Sequence, residues 1–249
     1  MKRAIQAGVS GAQAASTTTV AHTEPEVPRT LCERAYLDLR QDIIQGRLAP
    51  GERLRVEHLK DRYNVGAGTL REALALLVSD ALVTVEGQRG YRVTGISLAD
   101  LQDLTDTRVM LETEAVRLSI RHGDAQWEAH LRATFDALSD AESLGPSANP
   151  EHWERANRQF HEALIAAHRS PWSKYLLDLL YRHGERYRRV AIRRSTVQPS
   201  SRNVHEEHTA IFEAAMARQE ARAALAVEVH IRLTYELLAK LGLETGTSE

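Results

Sequence analysis

The sequence predicts a mainly α-helical protein: an N-terminal winged helix-turn-helix, with three helices and a β-hairpin wing, followed by an all-α antiparallel helical bundle. Before residue 83, apolar residues recur at the spacing of short helices. Across residues 83–93, apolar and polar residues alternate around a Gly-rich turn, as in a β-hairpin. After that hairpin, every segment repeats apolar residues at three- and four-residue spacing, and none alternates. Four segments are predicted: a disordered tail (1–28), the winged helix-turn-helix (29–95), the helical bundle (96–243) and a short tail (244–249).

The composition limits the class of protein. Hydrophobic residues make up 43% of the 249 residues, which is enough for buried cores. The single cysteine, Cys32, excludes an internal disulfide framework and fits a reducing cytoplasm. No run approaches the roughly 18 apolar residues of a membrane span, so we expect a cytoplasmic protein without membrane contact. Residues 1–28 lack the apolar core of a secretory signal, and disorder is favoured there over a transit peptide.

The N-terminal elements follow from local signals. Helices are predicted at residues 31–45, 56–63 and about 69–80. Gly46 ends the first helix where a left-handed cap suits glycine, and Pro50-Gly51 forms a turn before the second. The short Gly-containing break at residues 64–68 joins the second and third helices as in a helix-turn-helix. A hairpin placed directly after this pair of helices is a wing.

Three motifs of this part resemble the winged helix of the GntR family of bacterial regulators. They are GRLAPGERL (46–54), VGAGTLREAL (65–74) and GQRGYRV (87–93), and the resemblance covers roughly residues 30–95. In that family the Arg of the REAL segment, the start of the recognition helix and the wing-tip glycine meet DNA. The resemblance implies these DNA-binding residues: Arg71, Thr69, Gly68 and Gly90, with Arg89 and Arg92 as phosphate contacts. A surface salt bridge is the alternative role for Arg71.

One stretch departs from the family pattern. Family members commonly carry Ser, Arg and Thr where this chain has Gly66, Ala67 and Gly68. The missing arginine removes a possible bidentate contact to guanine, worth about 1–3 kcal/mol of discrimination. Small residues instead let main-chain N–H groups at the helix start approach a phosphate. The base preference of relatives therefore does not transfer to this chain.

The C-terminal part is predicted to be helical throughout. Its first helix follows Ser97, a candidate N-cap with Asp100 three residues later. Further helices are predicted at about 124–143, 150–169, 171–194, 200–218 and 220–242. Acidic side chains of these helices are expected to face outward, and the arginines between 186 and 194 to form a solvated face, with a pocket border or a DNA contact as alternatives.

Arg108 interrupts the apolar face of the first helix in this part. It can pair locally with Glu112, one turn later. Alternatively, it is an inward guanidinium that receives a carboxylate, which arginine holds bidentately. The sequence leaves both roles open.

Three histidines, His161, His208 and His230, fall on the apolar stripes of separate predicted helices, and Asn157 lies one turn before the first. One histidine on an apolar face is more often a satisfied core residue than a ligand. Three on separate inward faces favour a shared site, because buried polar groups are costly unless satisfied. Neutral imidazoles suit zinc or nickel, and an Asn oxygen can complete the shell. We predict a divalent metal ion, zinc first, with nickel or manganese as alternatives.

The same residues carry a second resemblance, to the all-helical FCD effector domain of the FadR branch of GntR regulators. The matching motifs are RVMLE (108–112), NRQFH (157–161), EH (207–208) and His230, and the coverage is about residues 98–242. Many members bind a divalent metal through an Asp or Asn, the His four residues later and two further His. The resemblance implies the ligands Asn157, His161, His208 and His230, with Asn in place of the commoner Asp weakening the site. Such domains usually sense small carboxylates, which implies an effector-binding role for Arg108.

The leading hypothesis is a ligand-responsive transcriptional regulator, most readily a repressor. It would bind a palindromic double-stranded DNA operator as a homodimer and sense a small carboxylate or sugar acid. A metal-dependent enzyme is one alternative, but the inward faces supply no clear general base. A constitutive DNA binder with a purely structural metal is the other.

Overall fold

The computed structural model describes residue 28 and residues 30–87, 90–145, 148–194 and 202–241, without the side chains of 190–194. Both predicted tails, Pro28 excepted, lie outside the described residues, and so do Gln88 and Arg89 of the wing. Within these ranges the fold is mainly α-helical, with a small sheet in the N-terminal part. The predicted fold class is confirmed.

The winged helix holds a three-stranded sheet against three helices. Its elements are α1 (Leu31–Ile44), β1 (Arg53–Leu54), α2 (Val56–Tyr63), α3 (Ala67–Ser79), β2 (Val83–Val85) and β3 (Tyr91–Val93). The strands are antiparallel in the order β1-β3-β2, and Thr84 lies opposite Arg92. Leu70, Leu74 and Leu77 are fully buried on one face of α3, and each contributes roughly 1.5–3 kcal/mol by burial. This face fixes α3 and leaves its opposite side in solvent.

Two local features differ from the sequence-based expectations. Helix α3 begins at Ala67 instead of about Thr69, because Gly66 takes an extended backbone (φ −67°, ψ 155°) and serves as the N-cap. Gly68 and Thr69 therefore lie in its first turn. Strand β1 was not predicted, since two residues are too few to show an alternating pattern.

Six helices form the C-terminal part within the residues that the structure describes. They are α4 (Leu98–His122), α5 (Ala125–Ser143), α6 (Pro150–Leu164), α7 (Pro171–Arg194), α8 (Val204–Met216) and α9 (Glu220–Lys240). Side-chain caps start several of them: the Ser97 Oγ accepts from the Asp100 N–H at 3.0 Å, and Asp124 and Asn149 cap α5 and α6 in the same way. Helix α4 packs along α9, α5 along α6, and α8 along α9. Among the described residues, no helix is both long and apolar enough to cross a bilayer.

The ends of three helices differ from their predicted positions. Helix α6 ends at Leu164 instead of residue 169, and Arg169 adopts a left-handed backbone (φ 65°) that a helix cannot contain. Helix α8 begins at Val204 instead of residue 200, because the Asn203 side chain caps it by accepting from the Glu206 N–H at 3.3 Å. Helix α9 ends at Lys240, two residues early.

Helix α7 also contacts the winged helix. Its buried Arg186 donates to the main-chain carbonyls of Thr94 and Gly95. His183 donates from Nε2 to the carbonyl of Asp80, the C-cap of α3, at 2.9 Å. The two parts of the chain therefore meet through side chains of α7.

Candidate metal centre and DNA-binding face

The structure brings the three predicted histidines together in the interior of the bundle. His161 comes from α6, His208 from α8 and His230 from α9, and all three are buried. Their ring centroids are separated by 5.6 Å (161 to 208), 5.2 Å (161 to 230) and 4.6 Å (208 to 230). One ligand atom from each side chain lies within 4.8 Å of the other two. Three distant stretches of chain thus present imidazoles to one point.

Each of these imidazoles is held by a glutamate through its Nδ1 atom. The distances are 3.1 Å from His161 to Glu112, 2.7 Å from His208 to Glu142 and 2.8 Å from His230 to Glu207. A carboxylate that accepts from Nδ1–H leaves the lone pair on Nε2, and this arrangement orients metal-binding histidines.

The Nε2 atoms of His161 and His208 are buried and have no hydrogen-bond partner within the part of the chain that the structure describes. An unsatisfied buried nitrogen costs about 1–3 kcal/mol, so two that converge require an explanation. A divalent metal ion, which imidazole nitrogens bind readily, would satisfy both of them. The donor set fits such an ion.

Burial keeps the imidazoles of His161 and His230 neutral. Burial lowers the pKa of His161 to about 4, with the hydrogen bond to Glu112 only partly opposing it, and burial also holds the pKa of His230 well below its ordinary value. Burial alone raises the pKa of a carboxyl group. For Glu112, the charge of Arg108 and the hydrogen bonds from His161 and Tyr181 outweigh burial and lower the pKa to about 2. Neutral imidazole is the form that binds a metal.

A cavity of about 410 Å³ opens beside these rings. Asn157 lines it together with His161 and His230, so the predicted fourth ligand lies in the wall of the same cavity. Asn157 is buried and stands one turn before His161 on α6. The structure thus brings all four predicted metal ligands to one region, with three imidazoles clustered and the amide beside them.

The local pair predicted for Arg108 is present, and its side chain also lies at the cavity wall. Its Nε donates to Glu112 at 2.8 Å, which is the local pair one turn apart. Its guanidinium stacks over the Tyr181 ring at 4.4 Å and also lines the cavity. The ion pair fixes the guanidinium at the cavity wall, where it can meet an anionic ligand.

Two expectations about charged residues were wrong. The acids of the bundle are not all outward: Glu112 and Glu154 are buried, and Glu142 and Glu207 contact the histidines. Arg186, Arg188 and Arg189 of α7 do not form a solvated face either, and the side chains of Arg193 and Arg194 lie outside the described residues. Arg186 is buried, while Arg188 and Arg189 line the cavity, so the alternative of a pocket border fits these two. Each of these inward charges has an oppositely charged partner, a histidine N–H donor or a carbonyl acceptor, which is what makes burial tolerable.

Two of the predicted DNA-binding residues, Arg71 and Gly90, line one groove of the winged helix. Arg71 is exposed on α3, one turn after Gly68 and close to Thr69. Gly90 directly precedes the second wing strand, β3, and has a left-handed backbone (φ 93°), which glycine adopts without strain. Side chains added at Gly66 or Gly68 would meet nothing within 4 Å, so packing does not require glycine there. The start of α3 is open to solvent.

Two other DNA-binding predictions have different outcomes. Arg92 donates to the Glu86 carboxylate and to the Gly51 carbonyl, so its guanidinium is engaged within the wing. Arg89 lies outside the described residues. Two arginines that the sequence analysis did not single out, Arg53 and Arg55, line a shallow groove with Arg71 and Gly90. Both are exposed, and the short strand β1 that carries Arg53 gave no signal in the sequence.

Comparisons with known proteins agree with both parts of this architecture. Residues 31–93 match the family described as bacterial regulatory proteins, gntR family, and residues 103–233 match the FCD domain. The chain belongs to the GntR family. Its FCD domain places it in the FadR-type branch of these regulators.

The relatives are named as transcriptional regulators. The chain is 44% identical over 221 residues to the uncharacterized HTH-type transcriptional regulator BphR of Paraburkholderia xenovorans, covering 86% of this chain and 88% of the relative. It is 35% identical to the HTH-type transcriptional repressor GlaR of Escherichia coli, covering 79% and 90%. This GntR-family protein is a DNA-binding transcriptional regulator with an FCD effector-binding domain, and it is not an enzyme.

Solved structures share the fold. E. coli McbR/YncC superposes with a TM-score of 0.71 at 21% identity, covering 85% of this chain and 98% of that chain. A GntR transcriptional regulator from Rhodococcus sp. RHA1 gives a TM-score of 0.68 at 20% identity, covering 84% and 97%. At these identities the likeness concerns the arrangement of helices, and it leaves the chemistry of the cavity to the residues of this chain.

Proposed function

We propose that this GntR-family regulator is a repressor that binds a palindromic operator as a homodimer and releases it when a small carboxylate or sugar acid enters a metal-containing cavity of its FCD domain. The observation that carries the proposal is the cluster of His161, His208 and His230 beside a cavity, in which the buried Nε2 atoms of His161 and His208 have no hydrogen-bond partner among the described residues. Proteins of this class act in the cytoplasm, which agrees with the single cysteine of the chain. GlaR, one of its relatives, is named a repressor.

The proposed metal ligands are His161, His208, His230 and Asn157. The three imidazoles supply nitrogen donors, and Asn157 supplies an oxygen from the cavity wall. This mixture suits zinc best, with nickel or manganese as alternatives. When bound, the ion offers a Lewis-acidic position that accepts a carboxylate oxygen of the effector.

Arg108 is the proposed effector-binding residue. It lines the cavity, and Glu112 and Tyr181 fix its guanidinium in place. A fixed guanidinium binds a carboxylate with little loss of side-chain entropy. The ligand alters DNA affinity only if it favours one arrangement of the two winged helices over another.

For DNA binding we propose Arg71 as a base-reading residue and Thr69, Gly68 and Gly90 as residues at the DNA backbone. The open start of α3 lets main-chain N–H groups reach a phosphate. Arg89 stays a proposed phosphate contact from the sequence. Arg92 is engaged by Glu86, and we assign its main role to holding the wing in shape. One winged helix covers a half-site, so a homodimer on a palindrome is expected.

Ligand binding by the cavity can be tested by thermal unfolding. We expect zinc to raise the melting temperature, and one or more organic or sugar acids to raise it further only when zinc is present. At about 100 times its dissociation constant, a ligand adds about 2.7 kcal/mol of stability. For a chain of this size that corresponds to a rise of about 5–10 °C.

The measurement is a melting-temperature screen of acids with zinc and with a chelator, followed by release of operator DNA for every hit. A zinc effect with no response to any acid would support a structural metal in a constitutive DNA binder. No response to zinc, nickel or manganese would remove the metal from the proposal.

Replacing Glu142 with glutamine tests the support of the metal ligands. Glu142 accepts from the Nδ1 atoms of both His208 and His205. Because a glutamine is neutral and has only one acceptor oxygen, we expect zinc affinity to fall by about 10–100-fold. Zinc titration against a competing chelator measures this loss. Glu154→Gln is the matched control, since the Glu154 side chain is about as buried as that of Glu142 but pairs with Arg188, and it should bind zinc as the wild type does.

A further inference from the structure

A chain of hydrogen bonds joins the cavity to the winged helix through Glu151, the second residue of α6. The Gln45 side chain, at the C-terminal end of α1, donates from Nε2 to Glu151 Oε1 at 3.0 Å. Arg189 of α7 grips the same carboxylate with two nitrogens, at 2.8 and 3.1 Å. We call Gln45, Glu151 and Arg189 the Glu151 link.

One end of the Glu151 link lies at the cavity, and the other lies in the winged helix. Glu151 and Arg189 line the cavity that also holds His161 and Asn157. Glu151 lies on the same helix as those two residues, so α6 carries both the link and two proposed metal ligands. On the other side, Gln45 is buried and caps α1, which packs against the recognition helix α3.

Helix α7 adds a second contact close by. Arg182 pairs with the Asp80 carboxylate at 3.6 Å, and His183 donates to the Asp80 carbonyl. Asp80 is the C-cap of α3, so these side chains of α7 bind the end of the recognition helix itself. Arg189 lies less than two turns further along the same helix. A shift of α7 at the cavity therefore also displaces the α7 side chains that contact the C-terminal end of the recognition helix.

We propose that the Glu151 link couples the cavity to DNA binding: while closed, it holds the winged helix docked on the bundle, and an anionic group in the cavity opens it by competing with Glu151 for Arg189. The proposal rests on the proposed function, because it takes the occupant of the cavity to be an acid. An arginine exchanges one bidentate carboxylate for another at little cost. Glu151 then loses its stronger partner, and Gln45 loses a fixed acceptor.

The consequence for DNA follows from geometry. A palindromic site requires two recognition helices at a fixed separation of about one helical turn of DNA. A docked winged helix meets this requirement in each subunit, and a loosened one must be ordered again on binding. Opening the link therefore lowers DNA affinity, in agreement with release of a repressor by its ligand.

The test uses the full-length protein and a DNA duplex that the wild type enriches from a random-sequence library. The variants are Glu151→Ala, Gln45→Ala and the double variant. Glu220→Ala is the matched control, because Glu220 also stands in the first turn of a helix and also grips an arginine, Arg121, with both oxygens. Fluorescence anisotropy gives the dissociation constants.

We expect each single variant to weaken DNA binding about 5-fold or more, within the usual range of coupling between sites. The dissociation constant of the double variant should lie within about twofold of that of the single variant that binds DNA less tightly, since both changes break the same link. Amide hydrogen exchange of residues 41–48 should be faster in Glu151→Ala even without DNA. The Glu220→Ala control should bind as the wild type does.

The proposed link is overturned if both single variants bind DNA with dissociation constants within twofold of the wild-type value. It is also overturned if the fold-losses of the two single variants multiply in the double variant. If Glu151→Ala unfolds early, Gln45→Ala decides, because it breaks the link from the other side. A wild type that enriches no duplex overturns the proposed function and the link together. Enrichment with unaffected variants overturns the link alone.

Discussion

Replacing His208 with alanine is expected to leave a folded protein that no longer retains a metal ion. The His208 ring is completely buried, and its Nε2 atom faces the other two imidazoles without a hydrogen-bond partner among the described residues. Removing one ligand leaves two imidazoles and an amide, which is too few donors for tight zinc binding. We expect zinc affinity to fall at least about 100-fold, since loss of an outer partner alone costs about 10–100-fold.

Zinc content after dialysis, measured by elemental analysis, together with chelator competition, checks this expectation. His168→Ala is the control, because His168 is also buried but both of its ring nitrogens contact main-chain carbonyls, those of Ile165 and Ser170. It should retain zinc. Full zinc occupancy in both His208→Ala and His230→Ala would contradict the proposed site. Circular dichroism separates loss of the metal from loss of the fold.

The histidines could be found from the sequence because helical spacing fixes the face on which a residue lies. His161, His208 and His230 each occupy a position that apolar neighbours mark as inward, and the helices that carry them are long enough to be recognised. Three inward histidines on separate helices favoured one shared site, and the resemblance to a known domain added which helices bring them together, since spacing along one helix does not tell which helices pack together.

The glutamates could not be found in the same way. Glu112 and Glu142 carry charges, and a charged residue within a helix is normally assigned to the solvent side. Their burial depends on partners from other helices: His161 and Tyr181 for Glu112, and His208 for Glu142. A pairing between distant helices has no signature in the local sequence. The pair Arg108 and Glu112 was the exception, because its partners are four residues apart.

The same limit applies to α7. Its arginines follow one another closely in the sequence, and such runs are usually solvated. In the fold, α7 lies between the bundle and the winged helix, so Arg186 meets carbonyls of the connecting segment and Arg189 meets Glu151. The short elements show a related limit: β1 is a strand only because β3 lies beside it. Contacts between distant parts of the chain therefore determine both the burial of these arginines and the formation of β1.

Replacing Arg71 with alanine is expected to remove specific DNA binding and to leave the thermal stability nearly unchanged. Arg71 is exposed on α3, and no hydrogen bond or ion pair joins its side chain to another described residue in the free protein. Its loss therefore costs the fold little, as at most surface positions. A bidentate contact to a base is worth about 1–3 kcal/mol, so the affinity for the selected duplex should fall about 5- to 150-fold.

The pattern of the loss separates base reading from charge alone. If Arg71 reads a base, the variant should bind the selected duplex and a scrambled duplex almost equally, because discrimination is what it has lost. If Arg71 only meets a phosphate, both affinities should fall together and the salt dependence should become shallower. Arg34→Ala is the matched control, an exposed arginine on α1 of the same part of the chain that is absent from the groove holding Arg71. Because Gly66, Ala67 and Gly68 offer no long side chain at the start of α3, an unaltered affinity in Arg71→Ala would leave the recognition helix without a base-reading residue near its start.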